Sequence, residues 1–493
     1  MMNRVGGWLV VAVILGLLMM VGEGNAAEAG RLRAGAATSN ITLPVGASMG
    51  GVIARGGPVL HIHDELHARC LVLDDGSTRL AFVLCDLRMV GRPVVEEAKR
   101  LVHQATGLPP EHLLIAATHT HAAPAVIGIH TSEIDRVYGQ LLVRRIADSV
   151  QRAIRNLAPA RVGWGSVSVP RHVFNRRWFM KEGTIPANPF GSRTDRVRMN
   201  PPRGSEDLLR PAGPVDPEVF VLSVEHADGR PLALLANYGL HYVGGYQAGH
   251  VSADYFGIFA RRVGELLKAD RQEPAPGGCG GTPPSPSMLV GILSNGTSGD
   301  VNNIDFRKRR LRVEPWVKMG QVADDLAQEV VRVQKKIEHQ DRLTLAAASV
   351  ELHLGVRKPD EARLAWARKV MADVKNPKRM TRPEIYASEA LALARFPDKV
   401  PVELLAFRIG PLGIAGIPCE VFAETGLALK KESALKPCFT IELANGYNGY
   451  LPTPAQHELG GYETWPARSA YLEKEAEPRI RKAVLGLMDR LGM

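Results

Sequence analysis

The chain has 493 residues, 45% of them hydrophobic and 23% charged, a balance that supports a large buried core and argues against a disordered or low-complexity protein. The formal net charge of +10 at pH 7 favours anionic partners, and without any nucleic-acid-binding motif the expected one is an anionic membrane surface. Five widely spread cysteines, none in a paired zinc-ligand spacing, exclude a disulfide scaffold and a zinc ribbon and leave one bridge, Cys419 to Cys438, open after export.

Arg4 precedes an apolar run from Trp8 to Val21, and the small residues Gly24, Asn25, Ala26 and Ala27 follow. These are the three regions of a secretory signal peptide over residues 1–26, so the mature domain is expected over residues 30–493, secreted or periplasmic. No later stretch is apolar enough to span a bilayer. Leu71 to Leu73 and Leu80 to Leu84 flank the Asp75-Gly76 turn and read as a hairpin, with Asp86 at the end of its second strand. Val94, Val95, Ala98, Leu101, Val102 and Ala105 share one helical face, and Gly107 with Pro109 stops that helix. The buried strand Leu113 to Ala117 then ends in Thr118-His119-Thr120-His121, which places two imidazoles on one face of an extended segment. A second helix runs through Ile134, Val137, Leu141, Ile146, Val150 and Ile154. A strand near Val162 to Val169 and the polar loop Asn175-Arg176-Arg177-Trp178 come next.

Another hairpin, Phe220 to Val224 and Leu232 to Ala236 around Asp228-Gly229, delivers Asn237 and His241 at the end of its second strand. Residues Glu273 to Ser287 are mostly Pro, Gly and Ser and read as a mobile surface loop. The strand Leu289 to Leu293 enters the loop Ser294 to Asp300, and the basic run Arg307 to Arg310 follows, read as a solvated face. Trp316 to Val333 is helical, Leu343 to Leu354 alternates as a strand, and helices occupy roughly Asp360 to Ala394. Strands near Leu404 to Ile409 and Ile414 to Ile417 precede Pro418-Cys419-Glu420, read as the start of a helix with the carboxylate in its first turn. The last strand, Phe439 to Leu443, enters Asn445-Gly446-Tyr447-Asn448-Gly449-Tyr450, and a helix through Ile480, Val484, Leu487 and Leu491 closes the chain.

The expected architecture is therefore an α/β fold: one large catalytic domain of mixed β-sheets flanked by helices, with the active site at strand-end loops. His119, His121, His241, Asp300, Glu420 and Tyr450 all lie where strands run into loops, and such ends can converge on one edge of a sheet. Two histidines, a glutamate and one further oxygen donor suit a catalytically open zinc site. The blander reading is that the tyrosines pack, Glu420 favours a helix N-terminus and Asp300 orders its own loop.

THTH followed by a proline, HY after a buried strand, SGDVNN, IPCE and NGYNGY before LPT occur in an order that resembles the amidase domain of the neutral ceramidase family, from about Arg33 onward. The resemblance implies a Zn2+ ion held by His119, His241, Glu420 and Tyr450, with His121, Arg176 and Tyr462 beside it and Arg177 as the alternative to Arg176. It implies hydrolysis of a lipid amide by zinc-activated water, the pKa of that water falling from about 15.7 to near 7. Two departures stand out. The ungapped match to the family's loop serine is Gly296, and the chain leaves no length for the immunoglobulin-like C-terminal domain of longer relatives, so the expectation is a shorter relative. The competing expectations are a zinc hydrolase of a different ester or glycan-linked substrate, and an exported binding protein that kept the fold and lost the chemistry.

Overall fold

The computed structural model describes residues 30–52, 55–124, 126–128, 136–269 and 289–492. The expected signal peptide over 1–26 and the expected loop over 273–287 lie outside the described residues.

A mixed sheet of eight strands forms the centre: β1 (Arg33–Asn40), β2 (His67–Asp74), β3 (Arg79–Cys85), β4 (Leu113–Ala117), β5 (Ala158–Ser168), β6 (Glu218–His226), β7 (Pro231–Tyr238) and β8 (Val290–Asn295). They are ordered β8-β7-β6-β5-β1-β2-β3-β4, and only the two outermost pairs, β7 with β8 and β3 with β4, are parallel. Both sequence-predicted hairpins are present, β2 with β3 and β6 with β7. A second sheet is ordered β9 (Leu345–Gly355), β10 (Lys399–Ile409), β11 (Leu412–Ile417), β12 (Cys438–Glu442), with β11 and β12 parallel.

The two sheets bury one face against each other. Phe82 meets Phe407 edge-on at 5.1 Å between ring centroids, and Phe220 lies 4.7 Å from Phe439. This layer is apolar throughout, and each fully buried Leu, Ile or Phe in it contributes about 1.5–3 kcal/mol. Helices α1 (Arg92–Thr106) and α2 (Arg136–Arg155) cover the outer face of the central sheet at one end. Helices α3 (Asp254–Ala269) and α4 (Val317–Gln334) cover it at the other. The outer face of the second sheet packs on the helix Ala476–Gly492 through Ile480, Val484 and Leu487. The layers run helix, sheet, sheet, helix, which is the expected α/β class. Helix α1 ends where the sequence predicted, on Gly107 at φ 71°, with its N–H on the His103 carbonyl.

Two expectations are corrected. Cys419 and Cys438 are buried free thiols, not a bridge. Glu420 does not open a helix: Glu420–Val421 is a two-residue strand paired in parallel with Tyr450–Leu451, and the following helix, Ala423–Glu432, begins after Phe422. Strand pairing wins because Val421 N–H donates to the buried Glu442 carboxylate at 2.8 Å. The carboxylate at the helix start is instead Asp300, which accepts Ala423 N–H at 2.8 Å.

Candidate active site

The parallel strand pairs set the site. β4 leads to His119 and His121, β7 to His241, β8 to Ser298 and Asp300, β11 to Glu420 and β12 to Tyr450, so residues more than 300 positions apart meet beyond the carboxyl ends of the strands. The turn after β4 is not an extended segment as predicted. His119 has φ 75°, a left-handed conformation uncommon for residues other than glycine, and its N–H bonds the Leu87 carbonyl at 2.8 Å.

Three imidazoles converge. His119 Nε2 lies 3.0 Å from His241 Nε2 and 3.2 Å from His121 Nε2. Glu420 Oε2 lies 3.4 Å from His119 Nε2 and 3.9 Å from His241 Nε2. The opposite nitrogens fix the tautomers: His119 Nδ1 donates to the Arg88 carbonyl at 2.7 Å and His241 Nδ1 to the Ser298 carbonyl at 3.1 Å, so the Nε2 lone pairs face inward. Facing lone pairs 3.0 Å apart repel unless a cation lies among them. Glu420 Oε2 is buried with no hydrogen-bond partner among the described residues, while its Oε1 accepts the Tyr447 hydroxyl at 2.8 Å. A buried orphan carboxylate oxygen is costly unless a cation satisfies it. A tetrahedral ion with donor bonds of about 2.05 Å separates its donors by roughly 3.3 Å, close to the spacings found here. The residues fit a bound metal ion.

Charge around the cluster is arranged to match. Burial, then the neighbouring His119 and Arg176, hold the His241 imidazole well below its usual pKa, and burial with His119, Arg88 and Arg176 does the same to His121. Burial opposes ionisation of Glu420, but His119, Arg176 and a hydrogen bond from Tyr450 outweigh it and hold the carboxyl below its ordinary range. Arg176 is itself clamped, its Nε on Glu463 at 2.9 Å and its Nη2 on the Gly299 carbonyl at 2.8 Å, with Nη1 3.4 Å from His241 Nε2. It also stands over the Tyr450 ring at 5.4 Å. Arg177, the alternative from the sequence, is fully buried and turned away, bonding Glu463, Gln456 and the Gly460 carbonyl.

Tyr462 packs edge-on against Tyr450 at 5.8 Å and Trp465 at 6.0 Å, and the charge of Glu420 reinforces burial in raising its phenol pKa. Asp300 does not join the histidines: Oδ1 holds Ala423 N–H and Oδ2 the Asn175 amide, both at 2.8 Å, so it ties the helix start to the Arg176 loop. Asp86 is likewise committed, to Arg69. Sequence reasoning missed three residues. Glu442 accepts Ser298 N–H at 3.1 Å and the Ser298 hydroxyl, and so fixes the carbonyl that orients His241. Glu463 holds Arg176 and Arg177 together, and Tyr447 holds Glu420. The signal for Glu442 was present: an acid closing the apolar strand Cys438–Glu442. At Gly296 a side chain has no room, because an added Cβ would stand 2.8 Å from the Gly239 nitrogen.

Comparison with known proteins bears on the fold and the family. The chain superimposes on the crystal structure of neutral ceramidase from Pseudomonas aeruginosa with a TM-score of 0.64 and 17% identity, over 94% of this chain and 74% of that one. A ceramidase complexed with C2 gives a TM-score of 0.64 and 16% identity, over 94% and 75%. At these identities the likeness shows the fold. A sequence model described as neutral/alkaline non-lysosomal ceramidase, N-terminal, matches residues 33–304, more than half of the chain. The chain belongs to the neutral/alkaline non-lysosomal ceramidase family.

Proposed function

We propose that the protein is an exported hydrolase that cleaves the amide bond of a ceramide-like N-acyl lipid at a single zinc ion. The observation that carries the reading is the convergence of the His119, His121 and His241 imidazoles, with Glu420 Oε2 beside His119 and His241 and without a hydrogen-bond partner among the described residues, in a chain of this family. His119, His241 and Glu420 would hold the ion, with Tyr450 supplying the remaining oxygen from the paired strand. When bound, zinc supplies Lewis acidity that polarises an acyl carbonyl and acidifies water.

The chain's own groups do the rest. Arg176 is immobilised by Glu463 and the Gly299 carbonyl, so its guanidinium is a preorganised positive charge for an acyl oxygen that becomes negative, and the Tyr462 phenol is a second donor. Each such donor is typically worth about 3 kcal/mol of barrier. His121 Nδ1 has no hydrogen-bond partner among the described residues, and its ring is stacked on Tyr242 at 3.7 Å between centroids. It would be the base that takes a proton from the water attacking the acyl carbonyl and returns it to the departing amine. Export rests on the charged, apolar and small-residue regions of residues 1–26.

A second reading, an ester or another acyl compound as substrate, is favoured by Gly296, where the Gly239 backbone leaves no space for the family's serine. Turnover of a panel of N-acyl lipids, N-acyl amino compounds and simple esters tests both. Amide cleavage that stops with a chelator and returns with zinc is expected. Zinc-loaded protein inert on every member would favour the binding-protein reading.

A further inference from the structure

We infer that the surface formed by the loop Arg307 to Glu314 and its neighbours docks on an anionic phospholipid bilayer and holds the active site at the membrane. The inference rests on the lipid-amide reading above for its purpose, but not for its geometry. The loop is exposed along its whole length and combines two features that oppose each other in a water-facing segment. It carries five cations and one acid in eight residues, and it also turns large apolar side chains outward: Leu311 is 77% exposed and Val313 50%. A purely solvated basic run needs no such residues. A basic segment with apolar side chains beside the charges is the pattern of peripheral membrane contact.

The charge is not cancelled locally. Asp305 pairs with Arg307 and Lys308, and Glu314 with Arg312. Arg309 and Arg310 have no carboxylate partner among the described residues, and Arg310 instead lies near another cation, Arg203. Apolar surface continues beside the loop. Val317 is 45% exposed, and Trp316 stacks on His63 at 3.6 Å between ring centroids. Three residues before His63 is Leu60, 64% exposed and packed on Gly249.

This face is joined to the histidine cluster through one short segment. Trp316 N–H bonds the Gly245 carbonyl at 3.1 Å, the next residue, Tyr246, donates its hydroxyl to the His121 carbonyl at 3.1 Å, and Tyr242 stacks on His121. The same loop begins nine residues after Ser298, whose carbonyl orients His241. A bilayer seated on it would lie beside the site, and an acyl lipid would travel a short path to the catalytic groups. The cations meet phosphate headgroups, and Leu311 and Val313 enter the interfacial layer.

The test is sedimentation of the mature protein with phosphatidylcholine vesicles, with and without phosphatidylglycerol. Binding is expected to require phosphatidylglycerol and to be reversed by high salt, because headgroup attraction is screened. Arg309→Ser with Arg310→Ser should weaken binding on the order of 30-fold. Leu311→Ser should weaken it while leaving the salt dependence in place. Both variants should keep wild-type turnover of a soluble short-chain N-acyl substrate without vesicles, which shows that they fold. Equal binding to both vesicle types, or variants that bind as the wild type does, overturns the docking surface. So does capture by a soluble polyanion such as heparin without vesicle binding. A wild type that binds vesicles as stated yet turns over no acyl substrate leaves the docking surface standing and overturns the hydrolase reading alone.

Discussion

Tyr462 opens a short 3-10 helix and Asp300 lies in the loop after β8, and the structure gives them different work. Tyr462 faces the charged cluster of Glu420 and Arg176, and a phenol aimed at a developing oxyanion gains strength only as that charge appears. Tyr462→Phe keeps the ring against Tyr450 and Trp465, so steady-state kinetics should show kcat down on the order of 100-fold with KM little changed. A variant with normal kcat would remove Tyr462 from the chemistry. Asp300 acts on stability instead. Burial pushes its carboxyl up to about 6 from 3.8, against the opposing Ala423 N–H and Arg177, so the folded state prefers the protonated form. Its contribution is therefore fully present below about 3.8 and is lost as pH rises through about 6, by roughly 3 kcal/mol. Denaturant unfolding of wild type and Asp300→Asn across pH 4–7 should diverge with that sign, the wild type losing stability relative to the variant as pH rises. A constant difference would show that Asp300 does not titrate there.

At the scale of elements, close backbone approach is what makes separate loops into one site. Gly299 presses on the strand that carries Glu420: a Cβ there would stand 2.5 Å from the Glu420 carbonyl oxygen, and the Gly299 carbonyl also holds Arg176. Backbone cannot yield as a flexible side chain can, so Gly299→Ala is expected to cost about 1–3 kcal/mol of stability and to lower metal occupancy together. Thermal unfolding and metal content measured on the same sample check it, and a variant with wild-type values for both would contradict the packing argument. The same contrast explains what could be read from the sequence. His119, His121 and His241 were legible because each follows an apolar strand whose period is local, whereas Arg176, in a polar loop, was singled out only through the family resemblance. The two-residue pairing of Glu420 with Tyr450 was not, because it depends on a partner 30 positions away and leaves no periodicity in either segment. Glu442 and Glu463 were passed over for a related reason. Each acts on another residue of the site through a buried contact that only the assembled fold creates.

For the whole molecule, the shared layer between the two sheets decides whether the chain unfolds as one body. Hairpins, helix faces and the helix stop at Gly107 follow from local pattern, but the face-to-face packing of the sheets does not, since alternation shows that a strand has a buried side and not what covers it. Phe407 sits in that layer, fully buried and edge-on to Phe82. Phe407→Ala should therefore destabilise the protein by about 3–5 kcal/mol and leave a single cooperative transition in calorimetry. Two separable transitions would mean that the sheets belong to independent units.

Metal content of the purified protein and three variants tests the central claim most directly. The account predicts about one equivalent of zinc per chain in the wild type. It predicts near-complete loss in His119→Ala and Glu420→Ala, because each removes a donor from the cluster, and retained zinc with turnover reduced at least ~100-fold in His121→Ala. Full zinc in His119→Ala and Glu420→Ala, or no bound metal in the wild type, would contradict it.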